Sequence, residues 1–419
     1  MTQEKTGRAY RDDPSCLPDG YRAAGGGPSR RPRSGRGGHR RSGHGLRALL
    51  PIPAALSVLI VLFLAVSVVG AATTPGNQGF KAKWADWLRA HHAAFVVNPM
   101  EKWYYSSHAP AKGGRPKALN HVPTAGSRSL TATQPVSTHL APPTPVPLVV
   151  QPALPGEGMW QPTGPLIDGH YGMYVAQFRA DTVYTSQITS AVWIDPTLLR
   201  LRLVPGAQEP GGTWTTPPDL TGTAAARAVA AFNGGFRFQD AQGGFYLDGR
   251  TAVPLRAGAA SVVIYKDGRV NVGAWGSEVT MTPDVEAVLQ NLVPLVDHGQ
   301  IAPDATYHDT HIWGNTLGAN TVVARSGIGV TSSGAVVYVA GPALTAKTLA
   351  ESLQRAGAVR GMTLDINPEW VTFNFFTHPN AADPAQTVGS KLYPTMQRPA
   401  DRYLGPGAES RDFFSISTS

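Results

Sequence analysis

Cysteine is nearly missing: Cys16 is the single one in 419 residues. No disulfide can form within one copy of the chain, so any folded part must be stabilised by its own apolar core. Charge is sparse as well, with Asp, Glu, Lys and Arg at 15%. There is no G-x-x-x-x-G-K-[ST] phosphate loop, no G-x-S-x-G nucleophile turn and no G-x-G-x-x-G fingerprint. Nothing therefore points to nucleotide hydrolysis, a serine elbow or a dinucleotide cofactor. No internal repeat is visible. Basic charge is scarce where a nucleic-acid reader would need it. Residues 1–47 carry 11 Lys+Arg against 4 Asp+Glu, leaving 25 against 24 for the rest of a chain whose net charge is +8. A reader of nucleic acid keeps its charge on a folded face, so no nucleic-acid partner is expected.

What is present divides the chain into five parts. Residues 1–47 are Gly, Arg, Ser, Pro and Asp without apolar periodicity, and they cannot bury enough surface to fold. This basic tail, which includes Cys16, is expected to be cytoplasmic. Residues 48–72 contain no charged side chain and centre on Leu56–Val69, a run of the ~20 apolar residues that span a bilayer. Positive charge before it and none close after predicts a single-pass membrane protein with its C-terminal domain extracytoplasmic. A cleaved signal is the alternative, because Gly70-Ala-Ala72 is small enough to be cut. Residues 73–109 hold Trp84, Trp87, Leu88 and Phe95 at helical spacing, an amphipathic juxtamembrane segment. Residues 110–152 are rich in Pro, Thr, Ala and Ser and read as a semi-stiff spacer.

Residues 153–419 form the folded domain, long enough for one full core. Alternation over Tyr174–Phe178, Thr182–Ile188 and Leu198–Val204 predicts strands. Asp248-Gly249 and Asp267-Gly268 each separate two β-rich runs and predict hairpins. Another pair, Val322–Thr331 and Ala335–Ala340, is joined by Ser332-Ser-Gly334. Helices are expected at 283–292, capped by Thr282, and at 345–356, capped by Thr345 and stopped by Gly357. A short helix is possible over 224–231. The fold class that follows is α+β: a mixed, strand-rich domain with a few flanking helices, preceded by one transmembrane helix.

Four motifs carry chemistry: Asn233-Gly234-Gly235-Phe236, Val296-Asp297-His298-Gly299, Arg325-Ser-Gly-Ile-Gly329 and Leu364-Asp365. Their order and rough spacing over about 225–370 resemble the phosphodiester glycosidase family. The resemblance implies an exported hydrolase that cuts between a sugar's anomeric carbon and a phosphate, on an α+β fold. One departure stands out. The family's glycine run after Leu-Asp is replaced by Ile366-Asn-Pro368-Glu369-Trp370, and Pro368 has no amide to offer a phosphate.

Glycoside cleavage usually needs an acid and a carboxylate flanking the bond, and Asp365 with Asp297 is the candidate pair. Arg325 is the candidate phosphate clamp, since a guanidinium holds phosphate bidentately. Asn233 would bond substrate hydroxyls, with Gly234 leaving room for the backbone to approach. His298 would serve as acid or base beside Asp297, and Glu369 as a replacement carboxylate. Structural roles compete throughout: a turn for Asp297, a surface ion pair for Arg325, a cap or buried pair for Asp365. His298, His308, Asp309 and His311 raise a metal alternative, but the surrounding Asp, Thr and Asn favour a loop, so no metal or cofactor is assigned. Three readings remain: an envelope-glycan hydrolase acting on sugar-phosphate linkages, a non-catalytic glycan-binding relative, and a metal-dependent hydrolase.

Overall fold

The computed structural model describes residues 52–74, 79–107, 109–123, 129–130, 139–306, 309–314, 321–380, 383–405 and 409–418. Cys16, His308 and the basic tail lie outside the described residues, as does the His311 side chain. The chain divides into Met1–Ser57, described only where the first helix begins, and Val58–Ser419.

Helices α1 (Ile52–Thr73), α2 (Phe80–Ala90) and α3 (Ala94–Ser107) come first. Helix α1 is long and apolar enough to cross a membrane. Its side chains stand largely outward, Leu59 at 63% and Val61 at 64% exposure. Helix α2 returns along it: the Trp84 indole Nε1 donates to Ser67 Oγ at 2.9 Å, and Trp87 packs so closely on Gly70 that any Cβ there would collide with its ring.

The remaining elements, in chain order, are mostly strands. First come β1 (Ser129–Leu130), β2 (Gln161–Ile167), β3 (His170–Phe178), β4 (Thr189–Ile194), β5 (Arg200–Val204), α4 (Gly222–Arg227) and β6 (Ala228–Asn233). Next are α5 (Phe238–Ala241), β7 (Phe245–Leu247), β8 (Arg250–Val253), β9 (Ala260–Tyr265), β10 (Val270–Ala274), β11 (Val285–Gln290), β12 (Val296–Asp297), β13 (Gln300–Ile301) and α6 (Thr310–Trp313). Last come β14 (Val323–Thr331), β15 (Val336–Leu344), α7 (Ala346–Arg355), β16 (Ala358–Thr363), β17 (Phe373–Thr377), β18 (Val388–Lys391) and β19 (Phe413–Ser417). They form a nine-stranded sheet, β1-β2-β3-β4-β15-β14-β16-β12-β13, and two five-stranded sheets, β10-β9-β11-β7-β8 and β18-β17-β6-β19-β5. All pairings are antiparallel except β1 with β2. The strand-rich α+β class is the observed one.

The three expected hairpins are present. Asp248 and Gly249 both adopt positive φ, +48° and +85°, which lets the two-residue β7–β8 turn follow the strand twist. Helix α7 forms where its signals stand. Thr345 Oγ1 accepts from the Thr348 amide at 3.0 Å while the Thr345 amide donates to Thr348 Oγ1 at 2.8 Å, and Gly357 follows at φ +96°. Two expectations fail. Residues 283–292 are not a helix but hold β11, central between β9 and β7. Val285, Val288 and Leu289 match a helical stripe, yet β11 is buried on both faces, where strand alternation disappears and an apolar run is ambiguous. Residues 182–188 form turns rather than a strand, and of 224–231 only the first part is helical before β6 begins.

All three sheets share one apolar core. In it Phe232 of β6 packs on Tyr338 of β15 at 4.9 Å, Phe373 of β17 at 5.7 Å and Phe414 of β19 at 5.1 Å between ring centres. A second core lies under α7, whose Leu349 and Leu353 press on β14 and β16 where Gly327 and Gly361 leave room for them. Part of the Pro-rich segment also packs on the domain. Val146 and Val150 are buried, the Val146 amide donates to the Gly158 carbonyl at 2.8 Å, and the Trp160 indole donates to the Thr144 carbonyl at 2.7 Å. Leu353 fills a site with no room to collapse, so Leu353→Ala should cost about 2–5 kcal/mol in chemical denaturation of the folded chain.

Candidate active site at the junction of the three sheets

The ends of strands from all three sheets meet around Asn233. This residue closes β6, and its carboxamide is fully engaged by protein. Asn233 Nδ2 donates to Ser326 Oγ at 3.0 Å and to the Gly234 carbonyl at 2.8 Å. Its Oδ1 accepts from the Tyr338 hydroxyl at 3.1 Å, the Thr372 amide at 3.1 Å and Ser326 Oγ at 3.3 Å. Ser326 belongs to β14 and accepts from the Asp365 amide at 3.1 Å, so the motif of β6, the motif of β14 and the end of β16 are tied through one hydroxyl. The middle sheet joins through Asn291 at the end of β11. Asn291 Nδ2 donates to the Thr363 and Leu364 carbonyls at 2.9 and 3.0 Å, and its Oδ1 accepts from the Phe236 amide at 3.2 Å.

Glycine is required here by packing. A Cβ on Gly234 would overlap the Asp412 carboxylate, and one on Gly235 would press on Asn291 at 3.2 Å. The segment Glu409–Asp412, just before β19, lies directly behind these glycines. Asp412 is 3% exposed, and among the described residues neither carboxylate oxygen has a hydrogen-bond partner. Burial pushes its carboxyl up to about 7, with Arg411 opposing and Glu209 reinforcing the shift. Asp365 is equally buried but differently served. Its Oδ1 accepts from the amides of Ile366 and Asn367 at 2.8 and 2.9 Å, and its Oδ2 lies 3.1 Å from Arg411 Nη2. Burial raises the Asp365 carboxyl above its usual range, and the Arg411 charge and the two amides oppose that rise. Arg411 Nη2 also donates to the Gly235 carbonyl, so one guanidinium links the glycine turn to the carboxylate. Two buried carboxyl groups thus flank Arg411, one ion-paired and one bare.

The other expected residues fall elsewhere. Arg325 is buried on β14, and its guanidinium donates to the carbonyls of Leu344, Trp313 and Thr321 at 2.9, 3.5 and 3.3 Å. It has no ion pair among the described residues, and burial brings it down to about 10. Asp297 and His298 form the tight β12–β13 turn, in which His298 and Gly299 take φ +46° and +74°. Val296 pairs with Gly361, so Asp297 sits beside Arg360, five residues back from Asp365 and roughly 16 Å away along β16. Its neighbours are His298 Nδ1 at 2.9 Å and Arg360 Nε at 3.7 Å. Glu278, Asp297 and His298 bring three ligand atoms within 4.8 Å of one another. The Arg360 guanidinium, 3.1 Å from Glu278, already supplies positive charge there, which argues against a cation. Glu369 lies beside Arg398, its Oε1 3.2 Å from Nε.

Asn233, Gly234 and Asp365 are therefore brought together; Asp297 and His298 are not. Arg411 and Asp412 were not read from the sequence. They stand nearly fifty residues after Asp365 and belong to none of the four motifs; the charged string Glu409-Ser-Arg-Asp412 ahead of an apolar strand was the one local sign.

Residues 226–365 match the family model of the phosphodiester glycosidases. That segment runs from the end of α4 to Asp365, so it contains the motif ends that meet at the junction. No curated protein matches the chain. Among solved structures, a hypothetical protein from Synechocystis shares 14% identity at a TM-score of 0.34, with 62% of this chain and 64% of that one covered. The catalytic domain of zebrafish N-acetylglucosamine-1-phosphodiester alpha-N-acetylglucosaminidase, auto-inhibited by its pro-peptide, shares 14% at 0.37, covering 59% and 82%. A protein of Burkholderia pseudomallei shares 11% at 0.29, covering 55% and 74%.

The bare Asp412 carboxyl has a signature in stability. Its unfolded pKa is near 3.9 and its folded one is about 7, so the wild-type chain loses stability as pH climbs from about 4 to 7 and no further beyond. The advantage of Asp412→Asn over wild type in urea unfolding should therefore grow by up to a few kcal/mol, about 1.4 per pH unit, across that window and then level off. A difference independent of pH would mean that Asp412 ionises as freely folded as unfolded.

Proposed function

We propose that the protein is a membrane-anchored, extracytoplasmic hydrolase that cleaves a glycosyl phosphodiester in an envelope glycan. What supports this reading is the convergence of Asn233-Gly-Gly, Ser326 and Asp365, all from the family-matched segment, on two buried carboxyl groups and a guanidinium. Glycosidic cleavage runs on two carboxyl groups whose environments pull their proton affinities apart. Asp412, raised to about 7, is the proton donor to the leaving oxygen. Asp365, facing Arg411 and two amides, is the carboxylate that stabilises charge at the anomeric carbon.

The membrane part of the reading is supported by α1, whose outward Leu, Val and Ile would otherwise face water as one apolar surface. A second reading has its own observation. Both Asp365 oxygens are occupied and the residue is 3% exposed, as suits a relative that binds glycan without turning it over.

The full chain in non-ionic detergent should release sugar from a glycosyl phosphodiester in the presence of chelator. Asp365→Asn should abolish release, and Asp412→Asn should lower it about 10²–10⁴-fold, with both variants folded by circular dichroism. Asp297→Asn should leave the rate within about twofold, since that side chain stands outside the junction. Glycan binding without release would support the binding relative instead, and activity lost to chelator would move the chemistry to a metal.

A further inference from the structure

Three guanidinium groups share one indole. Arg398, Arg402 and Arg411 lie 4.6, 5.4 and 4.4 Å from the Trp370 ring centre. All three are ion-paired to a carboxylate, two of them through a terminal nitrogen. Arg411 faces Asp365, and Arg402 donates through Nε and Nη2 to Glu409 Oε2 at 2.8 and 2.7 Å and through Nη1 to Thr372 Oγ1 at 3.3 Å. Arg398 is different. Its side chain is 2% exposed, yet among the described residues both Nη1 and Nη2 lack any hydrogen-bond partner. Only Nε is engaged, by the Glu369 carbonyl at 3.3 Å and the Glu369 carboxylate at 3.2 Å.

A buried guanidinium with its whole outer edge unmatched is costly, because those N–H groups have left water without replacement. Positive charge beside it compounds the cost, and burial together with Arg402 brings Arg398 down to about 10, still protonated at neutral pH. The free edge is the planar two-pronged fork that fits two oxygens of a tetrahedral oxyanion. The carboxylate beside it is Glu369, a quarter exposed and held at Nε rather than across the fork.

We propose that Arg398, backed by Trp370 and flanked by Arg402, binds a phosphoryl oxyanion, and that the Glu369 carboxylate guards the way to it. Through the same indole the site adjoins Arg411 and Asp365, so it supplies the phosphate half of the substrate; in this it rests on the reading of the junction as a glycosyl phosphodiester site. It assigns the phosphate to a guanidinium outside the family-matched segment rather than to Arg325, whose donors already point at carbonyls.

Calorimetric titration of the full chain in non-ionic detergent, at fixed ionic strength set with chloride, tests this without turnover. The probes are inorganic phosphate and dimethyl phosphate. Saturable binding of at least one is expected, weakened at least about tenfold in Arg398→Met by loss of the charge-assisted fork. Preference for dimethyl phosphate identifies a diester as the natural occupant, and preference for inorganic phosphate a terminal phosphate. Glu369→Gln should bind several-fold tighter, because the competing carboxylate is gone. Silence toward both anions, or an isotherm unchanged by Arg398→Met, overturns the proposal. Should Arg398→Met fail to fold, Glu369→Gln carries the test, and affinity that stays equal or falls overturns it. Anion binding with no sugar release would leave this site standing while the hydrolase reading fails.

Discussion

One carboxamide holds the architecture of the site. Asn233 terminates a strand of one five-stranded sheet, yet its oxygen and nitrogen bond to Ser326, Tyr338 and Thr372, groups on the nine-stranded sheet and on the loop into β17. Every polar atom of this buried side chain is satisfied, and all its bonds but the one to the Gly234 carbonyl cross from one element to another. An asparagine suits the place because it offers two donors and a two-pair acceptor without charge. An aspartate would bring a third buried carboxylate next to Asp365 and Asp412, and a leucine would take from Ser326, Tyr338 and the Thr372 amide the bonds that tie them to β6. The relative placement of Gly234, Ser326 and Asp365 depends on this clamp. The residue that looks most like a sugar ligand in the sequence thus works as the joint that positions the others.

Close packing follows from the clamp. Once β6 and β19 are registered with Asn233 opposite Phe413, the residue after Asn233 must pass against Asp412 with no space for a Cβ. The two glycines are consequences of that approach, and they leave Asp412 covered on one side by bare backbone. Glu409 is matched by Arg402 and by the Ser410 amide and Asp365 by Arg411 and two amides, while neither Asp412 oxygen has a hydrogen-bond partner among the described residues. Burial raises both Asp365 and Asp412, and the rise is opposed at Asp365 by Arg411 and two amides.

Much of this was legible and some was not, for physical reasons. Hairpins announce themselves because turn chemistry is local: Asp248-Gly249 needs only its own φ angles. Helix α7 is legible because its cap, its stripe and its stop all fall within a dozen residues. Strand β11 was misread as a helix because a strand covered on both faces keeps no alternation, and its valines and leucines happen to repeat at three and four. At the site, the motif ends Asn233-Gly-Gly and Asp365 were legible as a set, and Asp297 was drawn into the set by its motif although it closes a separate turn beside Arg360. Arg398, Arg402, Arg411 and Asp412 carry no spacing signal at all. What unites them is Trp370 and the end of β19, and such unions are made by tertiary registry alone.

The divergent loop after Asp365 gains a physical account from the same contacts. A glycine run at that point would let backbone amides turn outward toward a phosphate. Here the amides of Ile366 and Asn367 turn inward to Asp365, and the Glu369 amide is taken by Asn367 Oδ1 at 3.0 Å. Pro368 has no amide to give. The loop has therefore exchanged neutral donors aimed at a ligand for a rigid turn that presents Trp370. That indole in turn gathers three guanidinium groups, one of which has no partner for its two terminal nitrogens among the described residues. The loss of amide donors and the open outer edge of Arg398 thus lie within the reach of a single aromatic ring. A full charge in a buried place must be neutralised, and Glu369, at the edge and a quarter exposed, does that through Nε.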